Sequence, residues 1–130
     1  MPHISMEYSD NLEELIDLDG FCDHLRRAAL ETGVFPMAGI RVRAMACKHY
    51  SIADGGADHG FIDISIRLRG GRPDDKKKAA TEHVFTAAQA FLQPHIDAHP
   101  FALSLEMRDI DPELSPKLNT IREHIEETTK

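Results

Sequence analysis

Phe61-Ile62-Asp63-Ile64-Ser65-Ile66-Arg67-Leu68-Arg69 runs directly into Gly70-Gly71-Arg72-Pro73-Asp74-Asp75, and the reading of this stretch decides the fold. Ile62, Ile64, Ile66 and Leu68 share one face of an extended chain, while Asp63, Ser65, Arg67 and Arg69 share the other, which is the period of two expected of a strand with one buried face. Gly70-Gly71 stops it. Pro73 suits the first position of a helix and Asp74 and Asp75 suit its positive end, so a helix opens at once. Its apolar stripe is Ala80, Val84, Ala87, Ala88 and Phe91, and Pro94 is expected to kink or end it. Phe101 to Met107 then alternates as another strand, which completes a β-α-β unit beginning near residue 60.

Upstream the same order is written once more. Pro2-His3-Ile4-Ser5-Met6-Glu7-Tyr8 reads as a strand with His3, Ser5 and Glu7 on one face and Ile4, Met6 and Tyr8 on the other. Asp10 and Asn11 each have a glutamate three residues on, Glu13 and Glu14, which is a helix-start pattern. The helix is expected to run to about Glu31 with Leu15, Leu18, Cys22, Leu25 and Ala29 as its buried stripe. After Thr32-Gly33, the run Ile40 to Tyr50 reads as a strand with Arg41, Arg43 and Met45 opposite Ile40, Val42 and Ala44. Asp54-Gly55-Gly56 marks the turn between the units.

The chain is therefore an internal repeat, with repeat one at about 2–52, repeat two at about 60–109 and a tail at 110–130. Pro112 and Pro116 make a loop in that tail, and 119–127 is expected to form a short helix. Two right-handed β-α-β units give an α/β (α+β) domain, a four-stranded sheet with two helices on one face. The other face is left bare, carrying polar and arginine side chains mixed with Met6 or Met45. With both edges open, oligomerisation is the natural cover.

Composition narrows the function. At 130 residues the chain fits one domain with a real core, and 42% hydrophobic with 28% charged residues is ordinary for a globular protein. A net charge of −7 argues against nucleic acid or an acidic membrane as partner, though not against a small anion. Charges interrupt every apolar run before membrane-span length, and the first residues lack the blocks of a signal peptide, which points to the cytoplasm. Cys22 and Cys47 form no CxxC, and His95 and His99 lack a third ligand, so neither a disulfide framework nor a metal site is expected.

Two kinds of residue can carry chemistry. Pro2 becomes a free secondary amine if Met1 is removed, as is usual before a small residue, and such an amine can be a general base. The arginines Arg41, Arg43, Arg67, Arg69 and Arg72 cluster near strands two and three of an acidic chain. Taken alone, such arginines are solvated strand residues or interface ion-pair partners. His3, on the polar face next to Pro2, reads as a packing residue that could instead tune a site there.

Pro2 heading the first strand, the two β-α-β repeats and the stretch from Leu68 to Lys77 resemble the tautomerase superfamily. Within it, Met1-Pro2-His3, Ser9-Asp10-Asn11, Thr32-Gly33-Val34-Phe35-Pro36-Met37-Ala38-Gly39-Ile40-Arg41-Val42-Arg43 and Ala53-Asp54-Gly55 look like the 5-carboxymethyl-2-hydroxymuconate isomerase family. This resemblance implies that Pro2 is the catalytic base, that Arg72 binds a substrate carboxylate, and that Arg41, with Arg43 as its neighbour, does the same. It implies a homotrimer with sites at subunit boundaries and no cofactor. Because Gly60-Phe61 stands where a second proline would head repeat two, only repeat one supplies a base.

The reaction so implied converts the 2-hydroxy form of a small anionic dienol di- or tricarboxylate to its 2-oxo form, in homoprotocatechuate (4-hydroxyphenylacetate) catabolism. A terminal amine titrates at about 7.7–8.0, so the site must lower the proline's pKa, and nearby arginines and burial both act in that direction. The same arginines would stabilise charge growing on the dienolate. A related activity such as 4-oxalocrotonate tautomerisation, or a non-enzymatic trimeric binding protein on the same fold, fits the same residues.

Overall fold

The computed structural model describes residues 2–125. Strand β1 (Pro2–Ser9) is followed by a 3-10 turn (Asp10–Leu12), helix α1 (Leu18–Glu31), a second 3-10 turn (Met37–Gly39) and strand β2 (Arg41–Cys47). Strand β3 (Gly60–Arg69), helix α2 (Asp74–Ala98) and strand β4 (Phe101–Ile110) repeat that order, and a last 3-10 turn covers Ile121–His124. The sheet order is β2-β1-β3-β4, with β1 parallel to β2, β3 parallel to β4, and the two central strands antiparallel. The head of β1 therefore meets the end of β3, with Pro2 opposite Leu68 and His3 opposite both Arg41 and Arg67.

The alternating residues of the two central strands carry the core. Ile4, Met6, Ile62, Ile64, Ile66 and Leu68 are fully buried against Phe21, Leu25 and Ala29 of α1 and Val84, Ala88 and Leu92 of α2. Each such aliphatic side chain contributes roughly 1.5–3 kcal/mol relative to leaving it in water. The helices meet through the rings of Phe21 and Phe91, 5.3 Å apart, and His24 Nε2 lies 3.0 Å from the carbonyl oxygen of Ala87.

Local signals were in several places outcompeted by tertiary ones. Helix α1 begins at Leu18, not near Glu13, and its cap is Asp17, whose carboxylate accepts from the Gly20 amide. Asn11, expected at its start, is used over longer range together with Ser9. Asn11 donates to the His59 carbonyl and Ser9 Oγ accepts from the Phe61 amide, so both fasten the head of β3 to the end of β1. Leu15 consequently lies before the helix and is 53% exposed, while Phe21 and Ala28 join Leu25 and Ala29 on the buried stripe. Strand β2 is shorter than Ile40 to Tyr50 and β4 runs three residues beyond Met107.

Pro73 is the cap residue preceding α2, not its first helical residue. Pro94 neither ends nor breaks this helix, which continues to Ala98; Ala90, the residue whose carbonyl loses a partner, is on the exposed side, where solvent replaces the bond. Lys77 is half-buried and bonds the carboxylate of Asp109 at 3.2 Å, tying α2 to β4. Met6 belongs to the core, so among the two methionines only Met45 lies on the open face. Of the expected terminal helix, Ile121–His124 forms a 3-10 turn and residues beyond 125 lie outside the described part.

Candidate active site

Pro2 heads a central strand, and the period of two that buries Ile4 and Met6 also points its ring into the helix-covered layer, where it is fully buried. Its nitrogen is a non-basic tertiary amide while Met1 is attached and a basic secondary amine only afterwards. His3 points the opposite way, onto the open face. There the parallel pairing of β1 with β2 sets Arg41 opposite His3 and Arg43 opposite Ser5. Arg41 Nη1 lies 3.3 Å from His3 Nε2 and Arg43 Nη1 lies 3.3 Å from His3 Nδ1.

From the other side β3 brings Arg67 opposite His3. Burial first, then Arg67, Arg41, Arg43 and the amino terminus, hold the His3 imidazole below its ordinary pKa of 6.5. Four side chains from three strands thus make one cationic group at the end of the sheet where β1 begins.

Arg72 is placed differently. Gly71, at φ +114°, makes the turn after β3 in a conformation that disfavours any residue with a Cβ. The turn swings Arg72 against the loop after α1, where Nε donates to the Val34 carbonyl at 3.0 Å and Nη1 to the Arg69 carbonyl at 3.3 Å. Arg72, Lys76, Thr32, Gly33, Val34 and Pro73 line a recess of about 340 Å³ there. A larger recess of about 550 Å³, between α2 and β4, contains none of the candidate residues.

The fold thus brings Arg41 and Arg43 to His3 and leaves Arg72 in a separate turn, with its hydrogen bonds going to main-chain carbonyls. Arg69 is likewise spent locally, its Nη2 donating to the Pro112 carbonyl. His95 and His99 stack at 4.4 Å and His99 Nδ1 meets Asp58 at 3.1 Å; among the described residues no group of three or more His, Cys, Asp or Glu could hold a metal. The central place of His3 was not legible beforehand, because parity gives its face and only register gives its neighbours.

The family model described as 5-carboxymethyl-2-hydroxymuconate isomerase matches residues 2–125. The chain belongs to the 5-carboxymethyl-2-hydroxymuconate isomerase family. Within that family it is 31% identical over 121 residues to the 5-carboxymethyl-2-hydroxymuconate Delta-isomerase of Escherichia coli, a match covering 93% of this chain and 96% of the relative. A crystal structure of a 5-carboxymethyl-2-hydroxymuconate delta-isomerase superposes with a TM-score of 0.90 at 29% identity, over 100% of this chain and 96% of the other. The 5-carboxymethyl-2-hydroxymuconate isomerase of Deinococcus radiodurans R1 superposes with a TM-score of 0.87 at 26% identity, over 95% and 92%. The family architecture is the tautomerase fold, with the four-stranded sheet and two helices described above.

Proposed function

We propose that the chain is a cofactor-independent isomerase that converts 5-carboxymethyl-2-hydroxymuconate to its 2-oxo isomer with Pro2 as the proton carrier. The observation that carries this reading is the position of Pro2, buried at the head of a central strand in a family of isomerases, with a group of cations at the same end of the sheet. Once Met1 is removed, the prolyl nitrogen takes the 2-hydroxyl proton as the 2-oxo group forms, and the prolinium returns it to a carbon further along the dienolate. The role requires the amine to be neutral and basic near pH 7, and the burial of Pro2 acts in that direction because it disfavours the prolinium cation. Arg72, Arg41 and Arg43 receive the carboxylates and stabilise the dienolate.

Arg72 and the Arg41–Arg43 pair occupy different turns and faces of one chain, and this supports a site completed between subunits. The open polar face and the free edges β2 and β4 support an oligomer, and a homotrimer is the assembly we propose. No described helix is long and apolar enough to cross a membrane, and both cysteines are unpaired, in keeping with work in the cytoplasm. The test is an intact mass of the natively expressed protein, followed by ultraviolet loss of 5-carboxymethyl-2-hydroxymuconate against a Pro2→Ala control. Loss of Met1 with Pro2-dependent turnover is expected; turnover that survives in Pro2→Ala overturns the role of the proline.

A further inference from the structure

The group around His3 is short of one hydrogen-bond acceptor. A guanidinium carries only donors, and a neutral imidazole has one bare nitrogen and one N–H. Arg41 approaches Nε2 and Arg43 approaches Nδ1, each at 3.3 Å, so at most one of the two contacts is a hydrogen bond. At the other, an imidazole N–H and a guanidinium N–H converge without anything to receive them. Arg41 is half-buried and Arg43 exposed, and a buried donor suffers more from lacking a partner. The bare nitrogen therefore belongs to Nε2, which accepts from Arg41, and the unreceived pair is His3 Nδ1–H with Arg43 on the exposed side.

The residues paired directly with His3 across the strands are both cationic. Arg67 stands opposite His3 on β3, and Arg108 stands beyond it on β4. On the same face Ser5 and Ser65 are neutral, Glu106 opposite Ser65 on β4 is spent on an ion pair with Arg108 at 3.5 Å, and the acidic residues Glu7 and Asp63 lie two pairs further along from His3. None of the ion pairs among the described residues involves Arg41, Arg43 or Arg67. In a chain of net charge −7, this is a place built to receive an anion.

We propose that His3 is a substrate-binding residue, donating Nδ1–H together with Arg43 to one carboxylate of a multi-carboxylate substrate while Nε2 holds Arg41 in position. The identity of the ligand rests on the proposed isomerase reading; the acceptor-deficient geometry does not. A carboxylate oxygen placed between two nitrogens 3.3 Å apart is within hydrogen-bonding distance of both. The depressed basicity of His3 keeps the ring neutral at pH 7, as the arrangement requires, and an arriving carboxylate opposes that depression.

The probe is propane-1,2,3-tricarboxylate, which cannot isomerise, titrated into the Met1-processed protein while the ¹⁵N and ¹H resonances of the His3 ring are followed. The expected result is a shifted Nδ1–H signal and a His3 titration midpoint moved to higher pH, both abolished in Arg43→Gln. In turnover, His3→Leu is expected to raise KM by about 10-fold or more with kcat little changed, the loss typical of a hydrogen bond to a charged group. His3→Gln, which keeps a donor and an acceptor, is expected to restore most of it. An unmoved His3 resonance at saturating tricarboxylate overturns the proposal even where the wild type turns over substrate. A shifted resonance in a protein that does not isomerise the muconate supports the site and overturns the reaction instead.

Discussion

Arg72 clips the two repeats together: its Nε donates to the carbonyl of Val34, 38 residues away, at 3.0 Å, and its Nη1 donates to the Arg69 carbonyl at 3.3 Å. Two of five guanidinium donors are thus committed to the main chain, and the remaining ones can meet a carboxylate without the side chain having to be ordered first. Arg72→Ala is expected to lower kcat/KM by about 10²–10³, the usual cost of losing a preorganised donor, and to lower Tm as well. Arg72→Lys keeps the charge but cannot make the planar pair of bonds, so it is expected to recover little of either. Steady-state kinetics beside thermal denaturation separate the two roles. A lowered Tm with unchanged kinetics would make Arg72 a structural clip alone.

Removing the proposed base tests the chemistry more directly. Pro2→Ala still offers a small second residue and so still loses Met1, but it places a primary amine where the secondary one stood. We expect kcat to fall by about 10²–10⁴, the range of a lost general base, with KM nearly unchanged. Circular dichroism on the same sample should show the native fold, because the substitution truncates a ring at one end of a large core.

Tyr8 offers a spectroscopic check on the core itself. It is buried on β1 and its hydroxyl donates to the Glu13 carboxylate; burial first, and then that bond, push its phenol up to about 12. The chain has two tyrosines, so in a Tyr50→Phe background the phenolate absorbance reports Tyr8 alone. It should appear near pH 12 in the native protein and near the ordinary 10 after unfolding. Because the folded-state value is raised, the associated stability is complete below pH 10 and is lost as pH climbs toward 12. A native midpoint near 10 would show that Tyr8 is reached by solvent.

The acid side depends on histidines. Burial, then His99, hold His95 below its ordinary 6.5 against the opposing pull of Asp58, and its Nε2 is buried without a partner. His3 is depressed as well. A folded-state value below the unfolded one means that the unfolded chain binds protons first as pH falls. Stability is therefore full above about 6.5 and declines below it. Tm measured from pH 7.5 to 5 should drop along that course, and His95→Phe, which keeps an aromatic ring against His99 and Phe101, should make the drop shallower. An unaltered slope would mean that His95 charges as easily folded as unfolded.

What the amino-acid order determined unaided was whatever depends on one strand or one helix at a time. The alternation from Ile62 to Leu68 names its own buried face, Gly71 names its own turn, and the repeated order of elements names the sheet with two helices. Residue type and parity, also local properties, set Pro2 and the arginines apart, but their roles came from the resemblance to the isomerase family. Tertiary structure decided everything that required two distant segments to compete for the same group. Asn11 helps Ser9 hold the head of β3 rather than starting α1, and Pro94 sits inside a helix because the carbonyl it frees is on the solvent side. Arg41 and Arg43 meet at His3 while Arg72 turns away to Val34. The physical reason is register: a strand's parity gives each side chain a face, but only the pairing of β1 with β2 and β3 sets which charges stand opposite one another, and that pairing is settled by the burial of the whole core.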